Sequence, residues 1–241
     1  MEELGKNNCN IHQFNTPGSD MDTISLVINS IKYKRWRQNI ESNGNKILKL
    51  DVLSVVSRSP GTWYVAFLDC LLLTLEGNQI ARCLILRGES VVIVPLLQCI
   101  NDEQFYTVMV EQRCISDGDL HISFPAGSVG DGKKRRIMAC QELMEETGIK
   151  IVQQDLVKLS EKISLNSSFS DDIVYFYGFR KNVTREWLDS IDNRSSGLHE
   201  EGEYIRVRVF SLADCSKMSA TSTLIGLRLV EKKFGITCYS R

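Results

Sequence analysis

Three acidic residues at helical spacing constrain this chain more than any other feature. Glu142, Glu145 and Glu146 stand at i, i+3 and i+4 within residues 133–147, whose pattern predicts the clearest helix of the chain. That spacing puts all three carboxylates on one helix face. In water such like-charge pairs cost a few tenths of a kcal/mol each. In a partly dehydrated cleft, at about 5 Å, the repulsion rises to about 3 kcal/mol per pair. A divalent cation reverses its sign, and hard oxygen donors at this spacing suit Mg²⁺ or Mn²⁺, which keep some waters and engage a substrate phosphate.

The surroundings of the acids strengthen that reading. Pro125-Ala126-Gly127 end a strand, and a glycine-containing loop with Gly127, Gly130 and Gly132 follows, before the helix presents its acids toward it. Glycines in such a loop let the backbone approach phosphates closely. The Ala126 carbonyl adds a candidate metal ligand. Gly148 is placed to cap the helix C-terminus.

The rest of the chain sets the frame. At 241 residues, with 43% apolar and 24% charged side chains, it is long enough for one large domain or two modest ones. The net charge of −1 excludes a bulk basic field for nucleic acid. Residues 32–37 are nonetheless basic (Lys32, Lys34, Arg35, Arg37), which suits either a helix C-terminus or a phosphate or RNA contact. Eight cysteines without any C-x-x-C pair and only three histidines speak against zinc and for buried thiols in a reducing compartment. No apolar run is long enough to cross a bilayer, and residues 1–10 show neither an apolar leader nor an Arg-rich amphipathic pattern, so a cytoplasmic protein with no membrane partner is expected.

Periodicity predicts a polar, disordered lead over 1–20 and one amphipathic helix over 21–40. Short strands are predicted over 46–58, 62–75, 81–86, 90–97, 105–112 and 120–124, with a turn at Pro60-Gly61. Beyond the acidic helix, strands are expected over 149–152, 155–163, 173–179 and 204–212. A short helix is expected around Trp187, and a last helix over 219–234 with Leu224, Leu227, Leu229 and Val230 facing inward. The order suggests a mixed sheet with helices packed on it.

The segment resembles the Nudix family. Gly127, Glu142-Leu143, Glu145-Glu146, Gly148 and Ile149 match the box G-x5-E-x7-R-E-U-x-E-E-x-G-U in register. Two positions depart from it: Lys133 stands for the first glutamate, and Gln141 for the arginine that helps to orient the acids. The resemblance implies an α/β fold, the Nudix α/β/α sandwich with a mixed sheet, here preceded by a small strand-rich N-terminal subdomain. Domains are expected at 1–44 (lead and helix), 45–86 (strand-rich, dimer-forming), 87–235 (hydrolase domain) and 236–241 (tail). It also implies Ala126, Glu142 and Glu146 as metal ligands, with Glu145 beside them as a candidate proton acceptor.

Flanking segments are similar to the ADP-sugar and ADP-ribose pyrophosphatases of the family. They are Arg87-Gly88 before a core strand, Glu111-Gln112-Arg113, Ser123 to Gly127, and Gly197 through Phe210. The loop that brings a catalytic glutamate in that branch carries Asp171 and Asp172 here, so one of these is the expected acid. Arg87, Arg113 and Gly127 are the implied substrate contacts, because an arginine fork matches phosphate and ribose oxygens. The implied reaction is Mg²⁺- or Mn²⁺-dependent hydrolysis of a nucleoside diphosphate sugar, such as ADP-ribose or ADP-glucose, to a nucleoside monophosphate and a sugar phosphate. A homodimer is implied, and nucleic acid is not expected as a partner. Lys133 and Gln141 keep open a catalytically impaired binding or assembly subunit, and the basic run an RNA 5′-pyrophosphate hydrolase.

Overall fold

Val92, Val94 and Leu96 alternate with Val91, Ile93 and Leu97 along one strand, and all six are buried. A strand dehydrated on both faces is the middle of three layers, and this one organises the larger half of the protein. In the computed structural model the described residues are 10–13, 21–57, 62–198, 203–215, 217–218 and 220–238. The expected turn at Pro60-Gly61 and most of the polar lead lie outside them. The chain divides into two compact units, residues 1–89 with 164–173, and residues 90–163 with 174–241.

The first unit contains β1 (Asn10–Gln13), α1 (Met21–Asn29), α2 (Ile31–Ser42), β2 (Lys46–Val56), β3 (Val65–Leu73) and β4 (Gln79–Leu86). Its sheet runs β1-β2-β3-β4, parallel between β1 and β2 and antiparallel thereafter. Residues 10–13, read from sequence as part of the disordered lead, are therefore a strand. Ile24 and Val27 of α1 and Tyr33 and Trp36 of α2 pack on Leu50, Val52, Ala66, Leu68 and Leu86.

The single helix expected over 21–40 is broken at Ser30, whose extended backbone starts α2 afresh. The Ser30 hydroxyl accepts the Tyr33 N–H at 3.1 Å and donates to the Val27 carbonyl at 2.6 Å, which satisfies groups at both helix ends. The basic run thereby falls on α2, where most of it is engaged. Lys32 is buried with its Nζ 4.4 Å from the Trp63 ring, Arg35 pairs with Glu89 at 2.7 Å, and Arg37 with Glu41 at 2.7 Å.

The second unit contains β5 (Glu89–Cys99), β6 (Phe105–Arg113), β7 (Leu120–Ser123), β8 (Ala126–Ser128), α3 (Arg135–Thr147), β9 (Val157–Lys158), β10 (Ile163–Ser164) and β11 (Ile173–Val183). It continues with α4 (Arg185–Ile191), β12 (Ser195–Ser196), β13 (Ile205–Ser211), α5 (Leu212–Cys215) and α6 (Thr221–Phe234). The strand order is β10-β11-β5-β6-β13-β12, with β7, β8 and β9 paired to β6, β5 and β11. On one face, Val92, Val94, Leu96, Met109 and Phe124 meet Leu227 and Val230 of α6. On the other lies α3, with Met138, Ala139 and Leu143 buried.

Gly226 sets the rotation of α6, because a Cβ there would sit 2.8 Å from the Phe124 ring. The buried face is therefore Thr223, Gly226, Leu227 and Val230, and Leu224, expected inside, is 38% exposed. The strand expected over 149–152 does not form. Past Gly148 the chain turns instead, with the Asp155 N–H on the Val152 carbonyl and the Asp155 carboxylate accepting the Val152 N–H. Over 155–163 only the short β9 and the start of β10 form, each paired with β11. The cysteines among the described residues are free thiols. Cys70, Cys99, Cys215 and Cys238 are buried, whereas Cys83 is exposed on β4. No helix among the described residues is long and apolar enough to cross a membrane.

Candidate active site

The site is built on β8. Pro125 offers its carbonyl to the Ile93 N–H at 2.8 Å, after which Ala126, Gly127 and Ser128 pair antiparallel with Val92, Val91 and Ser90. What sequence reads as a glycine loop thus begins as a strand locked to the centre of the sheet. The Phe124–Gly226 contact holds the residue before it. Positions anchored on a sheet define side-chain geometry more tightly than a free loop does.

Helix α3 brings its acids to this strand. The Glu146 Oε2 accepts the Ala126 N–H at 2.9 Å, and the Glu146 side chain is buried. Glu142 lies against Gly127 so closely that a Cβ on residue 127 would fall 1.9 Å from the Glu142 Cδ and 2.0 Å from its Oε1. Only glycine leaves room for that carboxylate. Burial pushes the Glu146 carboxyl up to about 8, with the negative charges of Glu142, Glu203 and Glu145 adding to the shift and the Ala126 N–H opposing it.

The C-terminal turn of α3 is fixed from both sides. Gly148 adopts φ +75° and returns its N–H to the Met144 carbonyl at 2.9 Å, a left-handed cap that a Cβ would strain. The Gly197 N–H reaches the Glu145 carbonyl at 3.2 Å, and the Ser196 hydroxyl donates to the Glu146 carbonyl. Next, Leu198 and Glu203 exchange bonds: the Glu203 N–H donates to the Leu198 carbonyl at 3.2 Å, and the Leu198 N–H to the Glu203 carboxylate at 3.4 Å. Glu203 is thereby a fourth acid near the cluster. It lies in the matched Gly197-to-Phe210 segment, but its register with α3 is tertiary and leaves no mark on local spacing.

The two departures from the family box have visible consequences. Gln141 donates from Nε2 to the Glu145 Oε1 at 2.8 Å, so it orients one acid without neutralising it. Lys133 closes a turn with its N–H on the Gly130 carbonyl at 3.0 Å, and its aliphatic stem passes over Gly130. The two neighbouring arginines have contacts away from Glu145. Arg136 donates to the Gln153 and Leu156 carbonyls, and the Arg135 guanidinium lies 3.8 Å from the Tyr175 ring.

The donors at the cluster are hard oxygens, two of them on one buried and one half-buried carboxylate, with a glycine cleared for the second. These suit Mg²⁺ or Mn²⁺, which are commonly held by one or two carboxylates with water and substrate phosphate completing the shell. Among the described residues no group of three His, Cys, Asp or Glu side chains closes into a cage.

The remaining sequence-derived site residues have partners of their own. Arg113, at the end of β6, donates to the Gly118 carbonyl, while its neighbour Glu111 is held by Arg208 at 2.7 Å and Arg206 at 3.9 Å. Arg87, Asp171 and Asp172 gather in the first unit. There the Asp171 Oδ1 accepts the N–H groups of both Arg87 (2.6 Å) and Gly88 (3.0 Å), the latter at φ +99°. Its Oδ2 lies 3.8 Å from Arg35. The Phe169 carbonyl accepts the Ile85 N–H at 2.7 Å, and Ile85 and Ser170 form a parallel bridge, so the loop adds itself to β4. Sequence places this loop in the hydrolase domain; these bonds join it to the first unit. Asp171 therefore has a backbone-holding task that its sequence position does not disclose. Arg87 is held by the Tyr64 hydroxyl at 3.3 Å and faces Asp172 at 3.9 Å.

No protein-family model matches the chain. Over 245 aligned residues it is 24% identical to the chloroplastic Nudix hydrolase 14 of Arabidopsis thaliana, covering 94% of this chain and 79% of that protein. Among solved structures it superposes on an ADP compounds hydrolase with a TM-score of 0.55 and 17% identity, over 79% of this chain and 94% of that one. The chain has the fold of that hydrolase, a mixed α/β architecture with helices on the sheet.

Proposed function

We propose that this protein is a Nudix hydrolase that cleaves the pyrophosphate of nucleoside diphosphate sugars, ADP-ribose and ADP-glucose foremost, to a nucleoside monophosphate and a sugar phosphate. The observation that carries the reading is the seat of Glu142 on Gly127 beside Glu146 on the Ala126 N–H. A second carboxylate beside the buried Glu146 raises the cost of its charge, and a cation at the pair reverses that repulsion. The relatives' names, Nudix hydrolase 14 and ADP compounds hydrolase, support the reaction class and the ADP-linked substrate.

Glu142, Glu146 and the Ala126 carbonyl are the residues to hold Mg²⁺ or Mn²⁺. When bound, the ion neutralises charge on the diphosphate oxygens and makes a water more acidic. Glu145, steadied by Gln141, is the acid free of the Gly127 and Ala126 contacts and is assigned the proton of the attacking water. The water oxygen bonds to one phosphorus and the P–O bond to the bridging oxygen breaks, leaving two phosphate monoesters. Exposed Phe67, on the face of β3 opposite to buried Ala66 and Leu68, supports the dimer expected of residues 45–86.

The test is a substrate panel of ADP-ribose, ADP-glucose and UDP-glucose, with and without Mg²⁺, read by chromatography of the products. Metal-dependent release of AMP from an ADP-linked substrate is the expected result. A folded protein that turns over none of them sinks the reading. Lys133 and Gln141 favour a second reading, a ligand-binding subunit, which predicts nucleotide-sugar binding that survives Glu142→Gln without turnover in either form.

A further inference from the structure

A hollow of about 500 Å³ lies wholly within the second unit, walled by Arg113, Ile115, Gly118, Glu203 and Tyr204. Its construction follows from strand register. The antiparallel pairing of β13 with β6 ends at Arg206 and Glu111, and Tyr204 and Arg113, just past that end, both line the hollow. The turn after β6, closed by the Cys114 N–H on the Asp119 carbonyl at 2.9 Å and the Gly118 N–H on the Cys114 carbonyl at 2.9 Å, completes the rim.

Three features give the hollow a chemical character. Tyr204 is 73% exposed and Ile115 fully exposed, so two apolar surfaces face water at the edge of a depression whose own lining is more apolar than polar. Arg113 is turned to the hollow by its bond to the Gly118 carbonyl, which uses one N–H of a five-donor fork. Glu111, two residues before it, is engaged by Arg206 and Arg208. Glu203 supplies a carboxylate, and its exchange of bonds with Leu198, next to the Gly197–Glu145 bond, ties this wall to the last turn of α3. An exposed aromatic ring, an arginine fork and a carboxylate acceptor side by side are what a flat base, a phosphate and ribose hydroxyls require.

Resting on the reaction proposed above, we infer that this hollow takes the nucleoside end of the substrate. The base stacks on Tyr204, Arg113 contacts the adjoining phosphate, and Glu203 accepts a ribose hydroxyl. Tyr204 is then a residue that sets preference for the base-bearing half, and a nucleoside monophosphate binds here without turnover.

The experiment is calorimetric titration of metal-free protein with AMP and, separately, with ribose 5-phosphate, for wild type, Tyr204→Ala and Tyr204→Phe. Steady-state kinetics with ADP-ribose run in parallel. Loss of a stacking ring weakens AMP about tenfold in Tyr204→Ala, whereas Tyr204→Phe, which keeps the ring, stays near wild type. Ribose 5-phosphate, having no base, does not distinguish the variants. For ADP-ribose, KM rises about tenfold in Tyr204→Ala and kcat moves much less. Equal AMP affinity in wild type and Tyr204→Ala, or no AMP binding by folded wild type, overturns the inference. If ADP-ribose is cleaved with an unchanged KM in Tyr204→Ala, the hollow is excluded while the reaction stands. If AMP binding follows Tyr204 but no nucleotide sugar is cleaved, the reaction is excluded while the hollow stands.

Discussion

The carboxylate of Glu142 occupies the space that a side chain at residue 127 would need, with its Cδ 1.9 Å from where a Cβ on Gly127 would fall. Strand and helix are thus fitted to each other at one atom, and the fit carries no strained backbone, because Gly127 is not among the glycines with positive φ. Gly127→Ala is therefore expected to fold and to force Glu142 off its seat. Displacement of a reacting group by about 1 Å costs on the order of 100-fold in rate. Thermal melting near that of wild type, together with such a loss in kcat, is the expected pair of results.

Glu146 tests the same site from the other side. Its carboxyl is buried and pushed up to about 8, so the folded chain holds it at a cost in the absence of metal. Glu146→Gln keeps an oxygen for the Ala126 N–H and removes the charge. The variant is expected to melt no lower than wild type and to lose at least about 100-fold in hydrolysis, a split that separates function from stability. Melting curves and initial rates on the same preparations check it.

Asp171 is expected to behave as a holding residue of the first unit. Its side chain is only 6% exposed, accepts two backbone N–H groups and faces Arg35. Asp171→Ala leaves those donors and part of the Arg35 charge without their partner, at a cost of about 2–4 kcal/mol. Asp171→Asn, which retains the acceptor, should lose less. Urea unfolding of the two variants measures the difference.

Acid stability has a named contributor. The Asp102 carboxyl is held down to about 2 by the Gln104 N–H and further by the Tyr106 hydroxyl, Cys99 and Arg185. A folded-state value below the ordinary aspartate range stabilises the fold above about pH 4, and that contribution is lost as the pH falls toward 2. Asp102→Asn should flatten the acid limb of the melting-temperature profile between those limits and leave its course above about pH 5 parallel to that of wild type.

The sequence discloses the acidic helix well because its information is local. Three acids at one spacing, Gly148 at the C-cap and the glycine at 127 each signal through residue type and distance along the chain. What it hides depends on partners far away in sequence. Asp171 looks like an acid on a catalytic loop, yet its bonds run to Arg87 and Gly88. Ser30 interrupts what periodicity draws as one helix, because a hydroxyl can serve the ends of two. Leu224 falls outside the core because Gly226 fixes the rotation of α6 against Phe124, a contact that no helical period contains. Glu203 joins the acids through the Leu198 and Gly197 bonds to the end of α3, which are set by tertiary packing.

The proposed reaction requires a divalent cation between α3 and β8, and Mn²⁺ titration followed by electron paramagnetic resonance measures that directly. Wild type and Asp171→Asn are predicted to remove free Mn²⁺ signal saturably, whereas Glu142→Gln, Glu146→Gln and Gly127→Ala bind at least about tenfold more weakly. Mn²⁺ binding of equal strength in wild type and in all three site variants would contradict it.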